Sequence, residues 1–195
     1  MTWDWDDIMK RLLQLLAMLN LLTPGAAFAI DDTALWDGLK SGAHVAMMRH
    51  AQAPGVGDPA GFRLGDCGTQ RNLSAEGRRQ AEQAGALFRS KGITRATVYS
   101  SQWCRCLDTA RGLGLGPVVP QAALNSFFDN GRSEKTQTGQ LRALIRQRPA
   151  GLPLVLVTHQ VNITALTGVV PASGEIVVLR IEGDQVEVLG RLATQ

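Results

Sequence analysis

Between Ala43 and Leu113 the sequence alternates strand-like and helix-like patterns, and that alternation leaves few folds open. Ala43-His44-Val45-Ala46-Met47-Met48-Arg49-His50-Ala51 is a short apolar run that stops before Ala53-Pro54-Gly55. This is the pattern of a buried strand opening into a loop. Further on, Ser74 is a good N-cap, Glu76 sits in the first turn, and Ala81, Ala84, Leu87 and Phe88 recur at helical spacing until Gly92 follows Lys91. Ala96-Thr97-Val98-Tyr99-Ser100-Ser101 then reads as a second strand, and a helix over Gln102 to Leu113 follows at once. A strand, a helix and a strand in succession imply parallel pairing with a right-handed crossover. In such a sheet, side chains converge on a ligand at the carboxyl ends of the strands.

The rest of the chain extends this α/β plan. Asp31 to Leu39 reads as an opening helix that Ser41-Gly42 stops, and residues 51–73 form a long Gly- and Pro-bearing loop; ordered loops of that length usually carry function. Pro117-Val118-Val119-Pro120 reads as an edge strand or extended linker, because proline limits ladder bonding. A second loop spans 121–133, and a helix from about Glu134 to Arg148 places Leu141, Leu144 and Ile145 on one face. Leu154-Val155-Leu156-Val157-Thr158-His159 is the most apolar strand and is expected at the centre. Ile176 to Ile181 and Val186 to Leu189 alternate around Gly183-Asp184, the pattern of a closing hairpin.

With 195 residues, 45% hydrophobic content and a net charge of +3, the chain suits one globular domain with its own core. No Lys/Arg block is interleaved with aromatics, so nucleic acid is not the expected partner. Residues 1–29 read as a signal peptide: Lys10 and Arg11 precede the apolar run Leu12 to Leu22, and Ala27-Phe28-Ala29 supplies a small-x-small cleavage site. The run is short for a membrane span. The acidic opening before Met9 is unlike a signal's positive start, which makes Met9 the expected initiator. The domain is then residues 30–195, in the periplasm or outside the cell, with membrane contact only through a lipid-linked substrate.

Export changes what the cysteines mean. In an oxidising compartment Cys67, Cys104 and Cys106 give one disulfide and one remaining thiol. Cys104 and Cys106, two apart near a helix start, face different ways and are poor partners for each other. Cys67 with Cys104 is the expected pair, Cys106 the substitute. The three thiols lack the paired spacing of a zinc site, and no metal or cofactor is expected.

Three strands thus end in polar residues at one edge: Arg49-His50, Ser100-Ser101 and Thr158-His159. Arg105, one turn into the following helix, reaches back over that edge. Two arginines, two histidines and helix N-terminal amides around one point suit a dianionic phosphoryl group. The motifs in order resemble the histidine phosphatase superfamily, with its phosphoglycerate-mutase-like fold. Arg49-His50-Ala51 is similar to its R-H-G opening, Leu73-Ser74-Ala75-Glu76-Gly77 to its helix start, and Thr158-His159-Gln160 to its late T-H-G. The segment from Ser100-Ser101 through Arg105 to Thr109-Ala110 is similar to its S-S-x-x-x-R-x-x-x-T-A. The likeness runs from about residue 43 to the C-terminus and implies a three-layer α/β/α fold with a mostly parallel central sheet.

The resemblance implies that His50 is the nucleophile and that Arg49, Arg105 and His159 bind the phosphoryl oxygens of a small phosphorylated substrate. Arg71 or Asn72 would add a further phosphate contact. Ala51 and Gln160 replace the usual glycines. The family's Leu-x-Glu general acid is matched by Leu124-Asn125-Ser126, which has no carboxyl, so Asp129 is the expected substitute and Glu134 the next choice. Size, opening motif and export resemble the small bacterial branch of Ais-type lipopolysaccharide core heptose-phosphate phosphatases, and more distantly the phosphohistidine phosphatase SixA. The competing expectations are a degenerate relative that binds phosphorylated ligands without turnover, and a surface adaptor, for which no partner motif is seen.

Overall fold

The computed structural model describes residues 31–149 and 151–194. The signal peptide over 1–29 and the start at Met9 lie outside the described residues.

The apolar and alternating runs become strands, the central ones buried on both faces. The strands are β1 (Val45–Arg49), β2 (Thr97–Ser100), β3 (Val118–Pro120), β4 (Leu154–Thr158), β5 (Ile176–Glu182) and β6 (Gln185–Leu192). They form one six-stranded sheet in the order β3-β2-β4-β1-β5-β6. β4 is buried at every position and lies between β2 and β1, parallel to both, as its unbroken hydrophobicity requires. The β5–β6 hairpin adds antiparallel strands beside β1. Pro120 ends β3, which lies at the open edge where proline is tolerated.

Because alternate residues point to opposite faces, each strand feeds two cores. Ala46, Met48, Val155 and Val157 pack with α1 (Asp32–Ser41), α2 (Ala75–Ser90) and α3 (Cys104–Leu113). Val45, Met47, Leu154 and Leu156 pack with α4 (Glu134–Arg146) and α5 (Gln160–Thr167). The result is the expected three-layer α/β/α architecture. α2 and α3 come close because Gly85 has no side chain: a Cβ there would stand 2.1 Å from the carbonyl oxygen of Leu113. The Ser74 cap forms as expected, its Oγ accepting from the Gly77 amide at 2.9 Å.

Several boundaries depart from expectation, among them the reach of α1 to Ser41 and of β6 to Leu192, and one helix is new. α3 begins at Cys104, not Gln102. The amide of Gln102 is taken by Asn125 Oδ1 at 2.9 Å and that of Trp103 by Ser101 Oγ at 3.2 Å, so side chains hold the strand-to-helix turn open. α4 ends at Arg146, short of Arg148. α5, absent from the sequence pattern, follows β4 directly. Its Val161, Ile163, Thr164 and Thr167 are β-branched, and burial of Ile163 and Leu166 outweighs that weak propensity.

Candidate active site

The parallel register sets Arg49 beside Thr158 and Ser100 beside Val157, so β1, β4 and β2 end together. His50, Ser101 and His159 follow at those ends, and α3 brings Arg105 over them from its second residue. Arg49, His50, Asp58, Arg71, Arg105, Asp129 and His159 all line one cleft of about 160 Å³, with Ser126, Phe128, Gln160 and Val161 also at its walls.

His50 is buried, and its Nδ1–H donates to the Ala51 carbonyl at 2.8 Å. Nε2 has no hydrogen-bond partner among the described residues and carries the free lone pair. Burial first, then the charges of Arg105, Arg49 and Arg71, push the ring down to about 3. The imidazole is therefore neutral across the physiological range, the state a nucleophile needs. His159 lies edge-on to it, with ring centroids 5.5 Å apart, and is likewise held well below the usual value by burial and by its cationic neighbours. Its Nδ1 is 3.5 Å from Arg105 Nη2 and its Nε2 2.8 Å from Ser101 Oγ. Arginine only donates, which assigns the proton to Nε2. Beneath it, burial pushes the Cys106 thiol up to about 12, so that sulfur packs against His159 as an uncharged group.

These buried neutral histidines make stability depend on pH in a definite direction. Below about pH 6.5 the unfolded chain takes up protons that the folded rings refuse, so stability is complete above that value and falls as the pH drops toward 3, by at most about 1.4 kcal/mol per unit for each ring. Denaturant midpoints of wild type are expected to fall more steeply between about pH 6.5 and 4 than those of His50→Asn. Parallel slopes would mean that the folded ring titrates like a free one.

The arginines are not equally free. Arg49 Nη1 donates to the Pro171 carbonyl at 2.9 Å, while its Nε is buried without a partner. Arg71 Nε donates to the Gly57 carbonyl at 2.7 Å and its Nη1 to that of Ala53, so this side chain ties the 51–73 loop as well as lining the cleft. Asn72 corrects the expectation of a phosphate contact: its amide donates to the Cys67 and Gln70 carbonyls and it lies outside the cleft. Glu134 opens α4 and also lies outside the cleft, whereas the exposed Asp129 lines it. Ser126, where the acid of Leu-x-Glu would stand, lines the wall without a carboxyl. The α3 N-terminus is not an anion donor through its first amide, since Cys104 N–H is taken by Gln70 Oε1 at 2.9 Å.

Cys67 and Cys104 form the expected disulfide, with Cα atoms 5.7 Å apart, and Cys106 is the free buried thiol. The bridge staples the 51–73 loop to the residue before Arg105. Phe62 of the same loop stacks on Trp103, centroids 5.0 Å apart. Sequence reasoning missed two site residues. Asn125 clamps the β2 end through Gln102 and accepts from Asn162 Nδ2 at 2.9 Å through its carbonyl. Asp58 pairs with Arg105, and its only sequence signal was its place in the long loop, between Gly57 and Pro59.

The sequence matches the family model described as histidine phosphatase superfamily (branch 1) over residues 45–142. No curated protein sequence matches the chain. Among solved structures, the fold is similar to the protein histidine phosphatase SixA complexed with tungstate, at TM-score 0.56 and 17% identity over 77% of this chain and 97% of that one. It is also similar to a phosphoserine phosphatase mutant from Entamoeba histolytica in complex with phosphoserine, at TM-score 0.56 and 14% identity over 78% and 98%. The open reading frame Rv3214 from Mycobacterium tuberculosis gives TM-score 0.56 and 18% identity over 78% and 98%. At these identities the likeness carries the fold.

Proposed function

The chain belongs to the histidine phosphatase superfamily, and from that premise we propose that it is an exported phosphomonoesterase working through a phosphohistidine at His50. The observation that carries this reading is the neutral His50 ring, oriented by Ala51 with Nε2 unpaired, in a cleft that Arg49, Arg71 and Arg105 share.

In the first step the Nε2 lone pair attacks phosphorus and the bond to the leaving oxygen breaks, that oxygen taking a proton from the Asp129 carboxyl. Arg49 and Arg105 bind the equatorial oxygens, where charge spreads in the transition state, and His159 joins them by turning its N–H from Ser101 to the ligand. In the second step water attacks the phosphohistidine, Asp129 takes the water's proton, and the P–N bond breaks to return neutral His50 and phosphate. The charges are met by arginines, so a chelator is expected to leave the rate unchanged.

The substrate proposed is a small phosphorylated molecule, a phosphorylated sugar of the lipopolysaccharide core in the Ais-like reading. Export is supported by the Cys67–Cys104 bridge, which suits an oxidising compartment. Ser126 in place of the family's glutamate favours a second reading, a binder of phosphorylated ligands without turnover, or a phosphatase for good leaving groups such as phosphoramidates. Release of phosphate from para-nitrophenyl phosphate in EDTA separates turnover from binding; calorimetric phosphate binding with no release on aryl or alkyl esters would leave the binder. Asp129→Asn is expected to lower turnover on alkyl phosphates by about a hundredfold while aryl phosphates change less than about threefold. Equal losses on both would remove Asp129 from the acid's part.

A further inference from the structure

Arg105 has five N–H donors, and the four on Nη1 and Nη2 are engaged. Nη1 donates to Asp58 Oδ1 at 2.6 Å and to the Arg71 carbonyl at 3.3 Å. Nη2 donates to Asp58 Oδ2 at 3.1 Å and faces His159 Nδ1 at 3.5 Å. Nε is buried with no partner. In this arrangement neither Nη of Arg105 has a donor free for a ligand, although its place in the cleft is the one a phosphoryl group needs.

Asp58 is built into the cleft as an anion would be. Its side chain is 9% exposed against 3% for Arg105, and it meets the guanidinium fork with both oxygens. It also accepts from Trp103 Nε1 at 2.9 Å and from the Arg71 amide at 3.2 Å. Burial alone would raise this carboxyl, but the hydrogen bonds from Arg105 and Trp103 hold it below its ordinary value, and so ionised. The loop around Asp58 is open on its outer side. Gly57 and Gly61 bracket it at φ 65° and 83°, a Cβ on either would meet nothing within 4 Å, and neighbouring Val56 is 86% exposed.

We propose that Asp58 is a resident counter-anion of the phosphoryl site: its carboxylate occupies the Arg105 fork and gives up at least one arm of it when a phosphorylated ligand binds. This rests on reading the cleft as a phosphoryl site. Asp58 thereby sets the affinity for phosphate. It keeps a buried guanidinium paired between turnovers, at the cost of competing with every incoming dianion.

Two measurements test this. In a crystal structure of the wild-type protein with tungstate, a tungstate oxygen is expected on an Arg105 Nη and the matching Asp58 oxygen beyond hydrogen-bond reach. A bidentate Asp58–Arg105 pair persisting beside bound tungstate overturns the exchange, whereas tungstate that never enters the cleft overturns the phosphoryl site itself. By calorimetry, Asp58→Asn is expected to bind inorganic phosphate about tenfold more tightly than wild type, with the gap narrowing at high salt. Equal or weaker binding by a cooperatively melting Asp58→Asn would make Asp58 a support for Arg105 and overturn competition. The tungstate structure needs no variant and decides the matter if Asp58→Asn does not fold.

Discussion

His50→Ala is expected to lower phosphate release from para-nitrophenyl phosphate by about four orders of magnitude, some 5.5 kcal/mol of barrier, while the protein still folds. Among the described residues, the neighbouring thiol, imidazole and hydroxyl are each held out of the attack. Cys106 is buried and its thiol is pushed up to about 12. Both ring nitrogens of His159 are engaged by Ser101 and Arg105. Ser101 Oγ is within reach of both His159 and Asn125. Stability should change little near neutral pH, because His50 lines a cleft and its main polar contact is with the carbonyl of the next residue. Acid-labile, base-stable phosphate on the wild-type chain, trapped by rapid denaturation and missing from the variant, checks the intermediate directly. Release that survives His50→Ala at more than about a hundredth of the wild-type rate would leave the mechanism without its nucleophile.

The residues of this site that were legible in the sequence are those whose position follows from local pattern. Arg49, His50 and His159 end apolar runs, and a buried strand must surrender its polar terminus at the sheet edge. Arg105 follows because a helix that leaves such a strand at once brings its first residues over that edge. The disulfide came from compartment and spacing. Asp58 was not legible, because its partner lies 47 residues away and nothing local in a Gly- and Pro-bearing loop says which way a carboxylate points. Arg71 and Asn72 look alike as polar loop residues. Only the folded loop shows that Arg71 reaches the cleft while Asn72 spends its amide on the carbonyls of Cys67 and Gln70. α5 was hidden for a different reason. Gln160–Thr167 has little amphipathic contrast, and its helix is held by the core it covers and by Gly168 at φ 75°.

Removing the Cys67–Cys104 bridge, as Cys67→Ser with Cys104→Ser, is expected to cost about 4 kcal/mol of stability, from the entropy of a closed loop of this length. For a chain of this size that is a fall of roughly 10 °C in melting temperature. The bridge spans 37 positions and encloses the end of the 51–73 loop and the whole of α2, so its loss frees that stretch in the unfolded chain. The effect on the site should be much smaller, because the same loop is held to the same short stretch by other bonds. Phe62 stacks on Trp103, Asp58 accepts from Trp103 and Arg105, and Gln70 accepts from the Cys104 amide. The double variant, assayed well below its melting point, should therefore keep kcat/KM within about threefold of wild type. A collapse of kcat/KM with an unchanged melting temperature would reverse the assignment, making the bridge a positioning device for Arg105 and not a brace for the fold.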